Sequence, residues 1–219
     1  MKKTDLKRLT VTALLCAAAY LCMFLFKFKV MFLTFDLKDA VLAVTAFLYG
    51  PVYGVLSAVM VALLEFITVS DTGVYGLIMN ALSSTAFVTV CGLVYRYRRT
   101  LFGAIMGSVT AVIAMTGVMM LANLWITPFY MGVSTADVAG MIPTLLLPFN
   151  LAKGVVNAAS TMIIYKPITT ALTKAGLSAG SSHKTDLKKF IPLTIGAMAI
   201  LALALVVILV VLNGEFSFM

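Results

Sequence analysis

The sequence predicts an all-α polytopic membrane protein, with six core helices and one further helix at the C-terminus. Composition comes first: of 219 residues, 62% are hydrophobic and 11% charged, and mean hydropathy is +1.09, against roughly 45–50% apolar and 25% charged in soluble domains. Next, the apolar residues gather into runs that can cross a hydrocarbon core as helices, parted by charged or Gly/Pro breaks. Last, the basic residues sort to one side of these runs.

The runs are 9–26, 37–49, 51–68, 74–95, 101–124, 144–165 and 190–212. Run 37–49 is short for a full crossing and meets the next at Gly50 and Pro51, so the two predict a tight helical hairpin or an interrupted pair. Basic residues preceding the first run, with Ala17, Ala18 and Ala19 inside it, resemble a secretory signal, but an uncleaved first helix is the better reading. A lipoprotein reading of Cys16 fails on Leu15, which is not small.

The net charge of +8 raises a nucleic-acid partner, but the charges form no single patch. Lys2, Lys3, Lys7, Arg8, Arg96, Arg98, Arg99, Lys166, Lys174, Lys184, Lys188 and Lys189 fall on one side, 12 of the 16. Lys27, Lys29 and Lys38 fall on the other. The positive-inside rule then predicts a cytoplasmic N-terminus in a multi-pass cell-membrane protein, with lipid rather than nucleic acid as its surroundings.

Lys153 is left within the run Leu145 to Tyr165. A lysine at bilayer depth costs about 2.5–3.5 kcal/mol on insertion scales and faces a protein interior or a cavity. Asn150 and Asn157 share its helical face. This face reads as the lining of a solute site; the alternative is an ion pair between Lys153 and Glu65. Asn80 and Asn123 are further polar candidates, although for Asn80 and Asn157 an interhelical hydrogen bond is the favoured reading. Ala13 and Ala17 form a small-x-x-x-small face on the first helix, a pattern that admits a close helix neighbour but is common.

Between Lys27 and Asp39 the stretch FKFKVMFLTFD predicts a short extended segment on the outside, able to cap a site. The connection 125–143, with Trp125, Pro128, Tyr130, Gly132 and Pro143, predicts an ordered interfacial loop or a lid. Residues 174–189 read as a basic linker, and the sole histidine, His183, lies in it, away from any catalytic or metal role. Cys16, Cys22 and Cys91 sit in apolar runs and read as packing residues rather than a disulfide or metal set. No phosphate loop G-x-x-x-x-G-K-[ST] occurs, so nucleotide energy must come from a partner. The absence of H-E-x-x-H, of G-x-S-x-G and of paired carboxylates on one membrane helix removes the easiest hydrolase routes, and no cofactor is implied.

The stretch LLPFNLAKGVVNAASTMIIYK (146–166) resembles the last core helix of the riboflavin-specific S components of energy-coupling-factor vitamin transporters. FDLKDAVLAVTAFLYGPVYGV (35–55), NALSSTAFV and ANLWITPFYMG (122–132) have counterparts there in the same order, so the resemblance covers about residues 5–173. It implies a six-helix core over 1–173 that binds riboflavin from outside and passes it inward when coupled to a T subunit and two ATP-binding subunits. It also implies that Asn123, Asn150 and Lys153 hold the flavin ring and that Ala13 and Ala17 dock on the T subunit. An Asn amide and an ammonium suit the carbonyl and N–H groups of the pyrimidine edge, while the ring faces need apolar walls. By position, Phe32, Leu33 and Phe35 are candidate walls, and Thr34 and Asp36 candidates for the ribityl hydroxyls. The linker 174–189 and the segment 190–219 lie outside the resemblance. Another vitamin such as folate or pantothenate, an intramembrane enzyme using Lys153 as base, or a structural subunit are the alternative readings.

Overall fold

The computed structural model describes residues 3–177, 187–206, 210 and 215–216; His183 and most of the linker fall outside them. Helix α1 (Lys3–Leu25) leads into a two-stranded antiparallel hairpin, β1 (Phe28–Val30) and β2 (Leu33–Phe35), followed by α2 (Lys38–Tyr49), α3 (Pro51–Thr68), α4 (Gly73–Tyr97) and α5 (Leu101–Met131). A short α6 (Thr135–Met141) passes through a π-helical turn, Ile142–Leu146, into the long α7 (Leu147–Lys174). Helix α8 (Leu187–Val206) and strand β3 (Glu215–Phe216) complete the described chain. Among the described residues, five helical stretches are long and apolar enough to cross a membrane.

The predicted helical hairpin is formed by α2 and α3, and Gly50 makes its corner at φ 95°, ψ 170°, a region open essentially to glycine alone. Pro51 starts α3, where a missing N–H is harmless. The two helices touch almost backbone to backbone, since a Cβ on Gly54 would lie 2.8 Å from that of Ala46. With 12 residues, α2 is about 18 Å long and falls short of the roughly 30 Å hydrocarbon core. It therefore begins inside the bundle, and the extended segment before it descends to meet it. Leu42, Val44, Val61, Phe87 and Met115 pack at the centre of the core, with Cys91.

Two expectations are corrected. Residues 125–131 are helix rather than loop, for α5 runs on past Pro128 to Gly132, which closes it in the left-handed conformation at φ 68°. Beyond it, Ser134 and Asp137 form a capping box that starts α6. The widened π turn then carries the chain across Pro143 and into Pro148 without a break; such turns leave room where proline has removed a backbone donor. Lys38 is the second correction: it is no external charge but fully buried.

The expected extended segment is the hairpin, with Met31 and Phe32 at its two-residue tip and Met31 at φ 54°. A third strand joins it. Lys29 of β1 pairs with both Thr34 of β2 and Glu215 of β3, so residues 215–216 lie beside the hairpin. Helix α8 lies along α7, and its Ala204 enters a small apolar cluster with Val30, Phe35, Phe149, Ala152 and Val156 beneath the sheet. Its outer face, including Ile195 and Leu203, is exposed, as a lipid-facing helix requires.

Gly50→Ala is expected to destabilise the fold by about 1–3 kcal/mol, the cost of a side chain in that backbone region. A lowered midpoint in thermal unfolding of the detergent-solubilised protein checks it.

Candidate solute-binding site

Asp36 is the centre of the polar interior. It sits between the end of β2 and the start of α2 with no solvent exposure, and its Oδ2 accepts from Nζ of Lys153 and of Lys38, each at 3.0 Å. Lys38 Nζ donates also to Glu65 Oε2 at 2.8 Å. Two ammonium groups are thus matched by two carboxylates from α3 and the β2–α2 junction. Desolvating such charges is costly, and pairing with full hydrogen bonding offsets it. Lys153 does make an ion pair, but with Asp36; Glu65 belongs to Lys38.

The same junction caps α2. The first N–H groups of a helix lack intrahelical partners. Here Lys38 N–H donates to Asp36 Oδ1 at 3.1 Å and Ala40 N–H to Asn157 Oδ1 at 3.0 Å. Asn157 Nδ2 donates in turn to the Asp36 and Lys153 carbonyls at 3.0 and 3.1 Å. The polar face predicted on α7 is therefore divided. Asn157 anchors α2, while Lys153 and Asn150, one and two turns nearer the hairpin, border a cavity.

That cavity, about 80 Å³, lies between the hairpin tip and α4, α5 and α7. Asn80, Asn123, Asn150, Lys153, Phe32, Leu33 and Thr34 all line it. Of the sequence-derived candidates, Phe35 and Asp36 do not. Phe35 turns into the cluster beneath the sheet, on the opposite side from its strand neighbour Thr34, while Leu33 touches both that cluster and the cavity; the carboxylate of Asp36 is committed to the two lysines. Asn123 Nδ2 donates to the Met119 carbonyl at 2.7 Å and its Oδ1 accepts from Thr127 at 2.9 Å. Asn150 Nδ2 donates to the Leu146 carbonyl at 2.8 Å. Lys153 also donates to the Thr34 carbonyl at 3.2 Å, which leaves it one N–H of three. Each amide likewise retains one N–H and acceptor capacity for a solute.

The structure adds residues that sequence reasoning passed over. Tyr75 and Tyr130 face each other at 6.0 Å between ring centroids, and Phe32 lies 6.4 Å from Tyr130; these rings close the outer mouth. Ser83 lines the cavity with its Oγ buried and without a hydrogen-bond partner. Tyr75 and Ser83 are ordinary helix residues until the fold is known. Tyr130, foreseen at an interface or in a lid, lies at the mouth. At about 80 Å³ the hollow is below the roughly 300–1,000 Å³ of ligand pockets, so a large solute must part these rings. At the exposed hairpin end, Lys29 pairs with Asp71 and holds its carboxyl below the usual range. On the first helix, Ala13 and Ala17 are both exposed on one face.

A larger cleft, about 710 Å³, opens at the far end of the bundle beside Arg8 and Arg96. It lacks the convergent uncharged amides and the buried ammonium, so size alone does not make it the solute site.

A helical membrane bundle with a polar, aromatic-capped cavity under a hairpin is the architecture of a solute-capture subunit rather than an enzyme. The chain belongs to the family of ECF transporter substrate-specific components, whose model matches residues 7–165. It is similar to the riboflavin transporter RibU of Staphylococcus aureus (strain TCH60), 29% identical over 77% of this chain and 93% of that protein. The RibU of Streptococcus thermophilus (strain ATCC BAA-250 / LMG 18311) is 26% identical over 78% of this chain and 87% of its own. A solved structure, "Structure and mechanism of the S component of a bacterial ECF transporter", superposes with a TM-score of 0.66 at 27% identity, covering 77% of this chain and 98% of that one.

Asp36→Asn leaves two buried ammonium groups short of a counter-charge, and a loss of about 3–5 kcal/mol is expected. Lys29→Ala, at the exposed pair with Asp71, should cost less than about 1 kcal/mol. Thermal unfolding of both variants in one detergent checks the contrast.

Proposed function

We propose that this chain captures riboflavin from outside the cell and delivers it across the membrane when coupled to a T subunit and two ATP-binding subunits. The observation that carries the reading is the convergence of Asn123, Asn150 and Lys153 on one cavity beneath Phe32. The pyrimidine edge of the flavin presents carbonyl acceptors around an N–H donor. The free N–H of Lys153 and the two amides match that pattern with donors and one acceptor. Phe32, Leu33 and Tyr130 supply apolar surface for the ring faces, and Thr34, Asn80 and the orphan Ser83 hydroxyl supply partners for the ribityl chain. The names of the two relatives support the same ligand.

Entry requires movement of the cap. The hairpin tip is held by Lys153 through the Thr34 carbonyl, so a ligand that recruits the ammonium also shifts the strand beside it. The N-terminus is cytoplasmic in this reading, on the strength of the basic residues at that end. The exposed Ala13 and Ala17 receive the T subunit, where small side chains permit close helix approach.

Titration of the purified protein with riboflavin, followed by quenching of flavin fluorescence, tests the ligand; saturation by folate or pantothenate without any flavin effect would replace it. Asn150→Ala should weaken riboflavin binding by about 1–3 kcal/mol, roughly 5- to 150-fold, with little change in unfolding temperature. Lys153→Ala should lose affinity and stability together, since the ammonium also neutralises Asp36. Ala17→Trp should leave binding intact and abolish riboflavin uptake by the assembled transporter, as measured in vesicles.

A further inference from the structure

We infer that the cleft at the end of the bundle opposite the hairpin is a binding site for a phosphate-bearing anion. Its volume of about 710 Å³ is that of a ligand pocket. Four cations line it: Lys7 and Arg8 from α1, Arg96 from the last turn of α4, and Arg99 just beyond it. Charges that serve topology alone need only lie beyond the helix ends. These four come from two helices far apart in sequence and border one concavity.

The acid count sharpens the point. Among the described residues, Asp5 is the sole carboxylate of this end, against Lys7, Arg8, Arg96, Arg98, Arg99 and Lys174. Neither Arg8, Arg96 nor Arg99 has a carboxylate within ion-pairing distance among those residues; the ion pairs lie at Lys29, Lys38 and Lys153. Lys7 donates to the Gly176 carbonyl at 3.1 Å, tying α1 to the end of α7 across the rim. Gly50, at the α2–α3 corner, also borders the cleft, so the N-terminus of the 18-residue α3 adds the positive end of its dipole.

The other wall is apolar. Phe47, Tyr95 and Leu177 line the cleft, and Phe47 and Tyr95 stack at 4.4 Å between centroids. Guanidinium forks match phosphate geometry in pairs, and an adjoining aromatic floor suits an organic group attached to that phosphate. Two sources share this chemistry: the headgroup of an anionic phospholipid and a soluble phosphate. The site is remote from the riboflavin cavity and does not depend on it.

The test uses the full chain in detergent and reads affinity from the rise in unfolding temperature on titration. Phosphatidylglycerol is compared with phosphatidylcholine in mixed micelles, and sodium phosphate with sodium chloride at equal ionic strength. Stabilisation by phosphatidylglycerol and not phosphatidylcholine assigns the lipid source; stabilisation by phosphate alone assigns the soluble one. Arg96→Gln and Arg99→Gln should each weaken the effective anion about tenfold, whereas Arg98→Gln, outside the cleft, should leave its affinity unchanged. Native mass spectrometry should show one retained phosphatidylglycerol in the lipid case, and fewer in the Arg96→Gln/Arg99→Gln protein. No anion selectivity, or an equal loss in Arg98→Gln, overturns the inference. Circular dichroism and the unliganded unfolding temperature identify a variant that has not folded; single Arg8→Gln then replaces it, with the same tenfold loss expected.

Discussion

The carboxylate of Asp36 holds the outer half of this protein together. It neutralises Lys153 from α7 and Lys38 from α2, caps the start of α2 through the Lys38 N–H, and lies at the end of the strand that carries Thr34. Two buried ammonium groups would be costly near mid-membrane; with Asp36 and Glu65 in place they become cross-links among three helices and the hairpin. Removing one partner removes more than one bond, because the charge left behind stays buried.

That junction also explains where the cavity is. Lys153 reaches Asp36 and the Thr34 carbonyl, which draws the hairpin down over the opening among α4, α5 and α7. Asn150 lies one turn further out on the same helix and meets the hollow, whereas Asn157, one turn deeper, is spent on the backbone of α2. Lys153 thus both cross-links the fold and borders the cavity, whereas Asn150 borders the cavity without joining the ion-pair cluster. The difference in their expected variant phenotypes comes from this division.

Much of the fold was legible because a bilayer leaves few alternatives. Backbone groups in hydrocarbon must be satisfied within helices, so apolar run lengths and the Gly50–Pro51 break marked α2 to α4 closely and the end of α1, which begins at Lys3, ahead of its apolar run. The polar face of α7 was legible too, since a lysine within an apolar run singles itself out, and it is buried as that reading requires. Lys38 was not, because at the edge of a short run a buried lysine and an external one look alike; only the approach of Glu65, 27 positions away, decides between them. Residues 125–131 misread as loop because Pro128, Trp125 and Tyr130 suggest an interface, while the helix simply continues past a proline placed before its last turn. The wall formed by Tyr75, Tyr130 and Phe32 depends on three segments meeting, and nothing local announces that.

The C-terminal segment lies beyond the stretch that matches the family, yet it is joined to the part of the fold above the solute site. A two-stranded hairpin is marginal by itself, and β1 would present an unpaired edge. Strand β3 covers that edge at Phe28 and Lys29, and Ala204 of α8 packs under the sheet against Val30 and Phe35. These contacts hold the hairpin where Phe32 stands beside Tyr130. On the proposed function, any parting of those rings has to displace a hairpin that β3 pairs along one edge and α8 packs from below. Neither α8 nor β3 lines the cavity, so this segment bears on the position of the hairpin rather than on the side chains that border the hollow.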